Sequence, residues 1–378
     1  MNKMWGLTDY LYTPERYTIN SLSLEIREKI SEGGYAYVHK AIDLSTNQEY
    51  AVKKILCQSP ELLQMAEREI AVMRSLPLHE NIVRYHDSLI TTQNSTPLVL
   101  IVMELCTGGT LVNLLEKYNG QLSFAQINYI LKEICQGVIA VHSAGFIHRD
   151  LKIENILLHN KKFKICDFGS CSNETFDLTH ASRMELLTLQ EKFERETTLM
   201  YRPPEMIDLY QRGRVDFKGD AWMIGCIVYT LAFCKHPFQD QTQLAIVNGH
   251  YNFPQNSRFD DKFHGFISWI LNPNPAARPS VQQVLNGISE YDQTPGFASV
   301  TGKAPKRVNK RIDRDLTQEE MEREMQLIRE QMEGKASRSV GVHLETSKKN
   351  DGFNIWQAPL EPGASKPSGN QNTGWAKF

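Results

Sequence analysis

No two cysteines of this chain stand at C-x-x-C spacing, and the seven present are an odd number. A disulfide framework or a structural zinc site needs paired or clustered cysteines, so the thiols are read as free and the compartment as reducing. The sequence also lacks any stretch of about 18 apolar residues, so a transmembrane helix is not expected. Met1–Tyr10 has no basic region followed by an apolar run, so no signal peptide is visible. Excess charge is missing too: the net charge is −2, which gives no basic field for nucleic acid. No internal repeat is found. What is left is an ordinary globular composition, 41% hydrophobic and 23% charged over 378 residues. That length allows a two-lobed domain and a tail, and the expected location is cytoplasmic.

Strand signals come first. Leu22, Leu24 and Ile26 alternate, a turn holding Gly33 and Gly34 follows, and Val38–Ala41 and Tyr50–Ile55 continue the pattern. A helix is predicted over 60–75, with Leu63, Ala66, Ile70 and Met73 on one face. Leu98–Glu104 is short enough for a buried strand, and Phe124–His142 and Ala221–Phe233 are long apolar helical segments. Strands first and helices later predict an α+β chain with a β-rich N-lobe and an α-helical C-lobe.

Chemistry-bearing residues follow the same order. Ile30–Val38 can form a tight hairpin over an anion, because Gly33 and Gly34 permit close backbone approach. Alone it is a weak signal and reads more readily as an ordinary Gly-Gly hairpin. Lys53, behind Ala51-Val52, can reach phosphates if oriented, and Glu69 on the next helix is the candidate partner. Taken alone, both are also common surface residues. The run His148-Arg-Asp-Leu-Lys-Ile-Glu-Asn155 is far more specific. Asp150 can accept a hydroxyl proton, Lys152 can steady a γ-phosphate, and Asn155 offers an amide oxygen to Mg²⁺. Asp167-Phe-Gly169 supplies a second Mg²⁺ ligand in Asp167.

With these motifs in this order, the chain resembles a eukaryotic protein kinase over residues 20–293. The resemblance implies a bilobal kinase fold binding ATP with Mg²⁺ or Mn²⁺. Its N-lobe would cover about 20–105 and its C-lobe about 106–293, between an extension at 1–19 and a basic, partly helical, then disordered tail at 294–378. It places Val38, Ala51 and Leu157 around the adenine and makes Met103 the gatekeeper. Backbone groups of Glu104 and Cys106 would bond the adenine edge. Asp220 would hold the catalytic loop, Arg278 would pair with Glu205, and Met73, His148 and Phe168 would stack in a column. Thr198 with Lys152 matches serine/threonine kinases. Cys166, just before Asp167, either faces the pocket or is a buried inert thiol.

Ser31 and Ala36 stand in place of two glycines of the usual phosphate loop. Glu32-Gly-Gly-Tyr-Ala36, Asp167-Phe-Gly-Ser170 and Thr197–Tyr210 are similar to the Numb-associated kinase family, which includes the adaptor-associated and cyclin-G-associated kinases. That likeness implies a threonine substrate in a Gln-x-Thr-Gly context, on a clathrin adaptor medium chain at endocytic membranes. It also implies an extra helix at Met206–Gln211 that holds the activation segment open without phosphate. The segment from Asp167 to Glu205 carries Ser170, Ser172, Thr175, Thr179 and Ser182, and Arg149 offers an anion pocket. Phe176–Arg195 has no match in these motifs. A monomer acting on protein substrates is expected. The alternatives are a weak pseudokinase or scaffold, although Lys53, Asp150, Asn155 and Asp167 are all present, and an adaptor acting through its tail.

The tail holds a basic run, Lys303–Arg314, then a capping box at Thr317–Glu320 and a stripe of Met321, Met325, Ile328 and Met332. It can bind an acidic membrane surface or a partner helix, or be a linker and a helix packed on the C-lobe. Gln371-Asn-Thr-Gly374 fits the implied substrate context, which makes Thr373 a candidate self-substrate against a chance match. Trp375–Phe378 resembles an adaptor-binding peptide, again against chance.

Overall fold

The computed structural model describes residues 14–33, 36–211 and 213–293. Gly34 and the whole tail, with its basic run, methionine stripe and Thr373, lie outside the described residues. The first strands form one antiparallel six-stranded sheet, in the order β1-β2-β3-β4-β6-β5. They are β1 (Arg16–Ile19), β2 (Leu22–Glu32), β3 (Ala36–Asp43), β4 (Glu49–Leu56), β5 (Tyr85–Gln93) and β6 (Thr96–Glu104). Successive side chains in a strand alternate between faces. Val38 pairs with Lys53, Ala51 with Met103 and Lys53 with Ile101, so Val38, Ala51, Lys53 and Met103 share one face. On the other face Tyr50, Val52, Leu98, Leu100 and Val102 pack with Ile19, Leu24, Ile26 and Ala41 in a dry cluster.

Ile19 belongs to β1, so the sheet takes in Arg16–Ile19 of the stretch read as an extension. Four residues are too few for alternation to stand out in the sequence. The turn after β1 is tied across the sheet by Asn20 Nδ2 donating to Asp87 Oδ2 at 2.8 Å.

Helix α1 (Pro60–Ser75) lies between β4 and β5 in the chain. Ser59 caps it by accepting the Leu62 N–H, and Pro60 at the first helical position needs no partner for a missing N–H. It buries Ala66, Glu69, Ile70, Val72 and Met73.

The second lobe is helical, as expected. It contains α2 (Leu111–Lys117), α3 (Phe124–Ser143), the hairpin β7 (Ile156–His159) and β8 (Lys162–Ile165), β9 (Phe176–Asp177), α4 (Arg183–Glu196), α5 (Pro204–Ile207) and β10 (Arg214–Val215). Then come α6 (Lys218–Phe233), α7 (Gln243–Val247), α8 (Asp261–Ile270) and α9 (Val281–Gln293). Helix α6 is buried all round from Gly219 to Ala232, which makes it the axis of the lobe. Its Trp222 ring stacks on Phe238 at 5.5 Å.

Two segments differ from expectation. Phe176–Arg195, unmatched above, contains most of α4. Ser182 and Glu185 form its capping box, and Leu186, Leu189 and Phe193 are its buried stripe. The helix expected at Met206–Gln211 is instead α5 followed by a 3₁₀ turn at Leu209–Gln211. Asp208 breaks it: its backbone leaves the helical region, and its carboxylate accepts from the Tyr210 N–H and Gln211 Nε2.

His236 gives this lobe a pH-sensitive point. Its ring lies 4.6 Å from that of Tyr201, its Nδ1 accepts the Phe238 N–H, and its buried Nε2 has no partner among the described residues. Burial pulls its pKa from 6.5 down to about 3. The native state therefore stays neutral where the unfolded chain takes up a proton. Stability contributed by this site is full above about pH 6.5 and is lost as pH falls toward 3, by at most about 1.4 kcal/mol per pH unit. Denaturant melts between pH 7 and 4.5 are expected to show a slope that is shallower in His236→Asn. Identical slopes would remove His236 as its source.

Candidate active site

Lys53 projects from β4 on the cleft face of the sheet and meets Glu69 of α1. Its Nζ lies 2.7 and 2.9 Å from the two Glu69 carboxylate oxygens and 2.9 Å from Asp167 Oδ1. Burial opposes the Lys53 charge, but the Asp167 and Glu69 carboxylates outweigh it and hold its pKa above the ordinary lysine value. The Lys53 ammonium, working against burial, holds Asp167 down at about 2. Both charges are thus fixed at neutral pH, and Lys53 is aimed rather than wandering. Phe168 is 1% exposed, with its ring 5.4 Å from that of His148, and this packs Asp167 into place.

The catalytic loop hangs from α6. The buried Asp220 carboxylate accepts from the His148 N–H at 2.8 Å, the Arg149 N–H at 2.9 Å and His142 Nε2 at 2.8 Å. Residue by residue along that loop, Asp150 Oδ1 accepts from Thr198 Oγ1 at 2.7 Å and from its N–H at 3.0 Å. Lys152 Nζ reaches Asp150 Oδ2 at 2.7 Å and Thr198 Oγ1 at 2.9 Å. One threonine hydroxyl therefore sits on a carboxylate and an ammonium at once. Burial opposes the Lys152 charge as well, and Asp150 raises its pKa in spite of it.

Asn155 Nδ2 donates to the Asp150 carbonyl at 2.9 Å, which leaves Oδ1 as its free acceptor. Asn155 Oδ1 and the ionised Asp167 carboxylate are oxygen ligands of the kind a hard cation takes. No group of three or more His, Cys, Asp or Glu side chains that could hold a metal occurs among the described residues. Two protein ligands suit Mg²⁺, which keeps waters and takes phosphate oxygens for the rest.

A cleft of about 280 Å³ is lined by Gly33, Lys53, Glu69, Asp150, Asp167 and Thr198, among others. A larger cavity of about 460 Å³, against Leu78, Arg84 and Lys164, holds none of these catalytic groups. Chemistry rather than size therefore picks the site. Gly33 donates its N–H to the Ala36 carbonyl at 2.8 Å, which ties the end of β2 to the start of β3. Val38, Ala51 and Met103 share the sheet face described above and Leu157 lies on β7, but none of these expected adenine contacts, nor Glu104 or Cys106, lines this cleft. The Glu104 N–H is spent on the Arg84 carbonyl at 3.0 Å, and its carboxylate pairs with Lys164 at 2.8 Å. Only its carbonyl is thus left for an adenine edge, beside the backbone of Cys106. Burial, with Asp167 alongside, pushes the Cys166 thiol well above its ordinary value, as in an inert thiol.

Lys53, Glu69, Asp150, Lys152 and Asp167 line one cleft, and Asn155 is bonded to Asp150. The sequence motifs do not single out Glu174, Glu196 and Arg68, whose contacts tie the activation segment to both lobes. The capping box and apolar spacing of α4 were legible, but the ion pairs that its ends make were not.

The family model of the protein kinase domain matches residues 24–287. Two probable serine/threonine-protein kinases of Dictyostelium discoideum are each 34% identical, over 289 and 298 residues, or 74% and 77% of this chain. A serine/threonine-protein kinase of Schizosaccharomyces pombe is 34% identical over 283 residues, or 73% of the chain. The matched parts are only 26%, 37% and 29% of those relatives, so the chain spans about a third of their length or less.

Proposed function

We propose that this chain, which belongs to the protein kinase family, transfers the γ-phosphate of ATP to serine and threonine hydroxyls of proteins. The observation that carries this is the convergence of Asp150 and Lys152 on one threonine hydroxyl, that of Thr198. A substrate hydroxyl needs the same two contacts. Asp150 accepts its hydrogen bond, aims its oxygen at the γ-phosphorus and takes the proton as the new O–P bond forms. Lys152 steadies the moving phosphoryl group, and Lys53, fixed by Glu69, holds the α- and β-phosphates of the ADP that leaves. Asn155 and Asp167 would hold a Mg²⁺ ion, which when bound would neutralise the phosphate charge.

The finer reading is a kinase similar to the Numb-associated family, acting on threonine in Gln-x-Thr-Gly on a clathrin adaptor medium chain. Its support is the likeness of Glu32–Ala36, Asp167–Ser170 and Thr197–Tyr210 to that family's segments. The test is labelled transfer from Mg-ATP to a Gln-x-Thr-Gly peptide beside one with alanine for the glycine. Transfer that falls at least about tenfold with the alanine, about 1.4 kcal/mol of discrimination, supports this substrate class. Equal transfer to both peptides, or transfer to generic substrates alone, discards the substrate and keeps the kinase.

A further inference from the structure

Arg149, next to the catalytic Asp150, has an unusual setting. Its side chain is 2% exposed, and its guanidinium lies 5.4 Å from the centre of the Phe176 ring and 5.8 Å from that of Phe193. Nη2 donates to the Glu174 carbonyl at 2.5 Å, and Nη1 is 4.0 Å from the Glu174 carboxylate. Nε and Nη1 make no hydrogen bond among the described residues. A phosphate on the activation segment would be expected to seek this arginine. Here the aromatic rings cover the guanidinium, and the carboxylate that faces it also accepts from Lys192 of α4 and from Ser172 Oγ at 3.2 Å. Lys192 in turn lies 5.8 Å from the Phe176 ring centre.

The far end of α4 is tied the other way. Glu196, its last residue, has a carboxylate only 5% exposed, 3.4 Å from Arg68 of α1 and 3.6 Å from Arg195. Its carbonyl accepts from the hydroxyl of Ser170, the residue after the Asp167-Phe-Gly run. Arg68 directly precedes Glu69, the partner of Lys53. Between these ends, Leu186, Leu189 and Phe193 bury the helix. One helix thus reaches the catalytic loop, the residues after Asp167, and α1.

We propose that Glu174 and Glu196 are positioning residues that, through α4, set the catalytic loop and α1 for transfer without a phosphate on the activation segment. This rests on the kinase reading above. It moves the task from a helix after Glu205, where the family likeness put it, to the helix ahead of Thr198. Glu174 gives Arg149 and Lys192 the negative charge that a phosphate would bring. Glu196 gives Arg68 a partner, so α1 is drawn toward the segment and Glu69 stays on Lys53.

The test uses the full chain treated with a protein phosphatase, with mass spectrometry confirming that no phosphate remains. The assay is labelled transfer from Mg-ATP to a threonine peptide, at short times that exclude self-phosphorylation. The treated chain is expected to keep its rate within about twofold. Glu174→Gln is expected to lower kcat about two- to fivefold at unchanged KM for ATP, the reach of a half-exposed ion pair. Arg68→Gln is expected to raise KM for ATP about two- to fivefold, the reach of a half-exposed ion pair, because Lys53 loses its aim. Both side chains are half exposed, so folding is retained, and a melting curve on each variant checks it. A purely structural role would move the melting temperature and leave the kcat and KM of the folded fraction alone. A tenfold loss on phosphatase treatment, regained after self-phosphorylation, overturns the proposal. So do two variants with wild-type kcat and KM. An untreated chain that transfers nothing fails the kinase reading itself and takes this inference with it.

Discussion

Asp150→Asn is expected to slow phosphoryl transfer by about 10²–10⁴-fold, the usual share of a general base, while ATP binding stays near wild type. The two side chains have the same shape, and Asp150 is only 6% exposed, so the loop should keep its form. What is lost is the carboxylate that holds the Thr198 hydroxyl at 2.7 Å and the Lys152 ammonium at 2.7 Å. Asparagine can accept a hydrogen bond but cannot take the proton. In the proposed reaction the nucleotide is held elsewhere, by Lys53, Asp167 and the cleft face of the sheet, so a calorimetric Kd for Mg-ATP should change little. A variant with wild-type kcat would show that Asp150 is not the base.

The second large effect concerns stability. Arg278 is 1% exposed and Glu205 6%, and they form a two-pronged pair at 2.7 and 2.8 Å. Arg278 also donates to the carbonyls of Asn272 at 2.9 Å and Lys218 at 3.1 Å, and lies over Trp222. Arg278→Met strands a buried carboxylate and two carbonyls, and should cost about 3–5 kcal/mol. At the slope usual for chains of this size, the melting temperature falls by roughly 10 °C. Glu205→Leu added to Arg278→Met should recover much of the loss, because an apolar pair of similar volume carries no unpaired charge. If Arg278→Met alone melts like wild type, the pair is not the clasp that fixes the end of the activation segment to α6.

The candidate set was legible because its members sit in short runs. Asp150, Lys152 and Asn155 lie in one run and Asp167 begins another, and spacing within a run groups them as candidates before any fold is known. Glu69 was found because the helix that carries it follows Lys53 by a readable apolar face. Where a role depends on contact across the fold, the sequence was silent. Arg68 and Glu196 are ordinary charged helix residues until α4 is laid against α1. Glu174 is one more loop acid until the chain folds back and sets it beside Arg149 and Lys192. The strand Arg16–Ile19 was too short to alternate visibly, and it is recognised only through Ile19 closing the cluster with Leu24 and Val102. At Met206–Gln211 the family likeness implied one helix, but the Asp208 side chain competes for the same backbone groups.

The most direct test of the central claim is a single-turnover reaction of the full chain with γ-labelled Mg-ATP and a mixed protein substrate, followed by phosphoamino-acid analysis. Label on serine or threonine and none on tyrosine, lost in Asp150→Asn, is the predicted result. Bound ATP with no label in any protein hydroxyl, or label unchanged in Asp150→Asn, would contradict it.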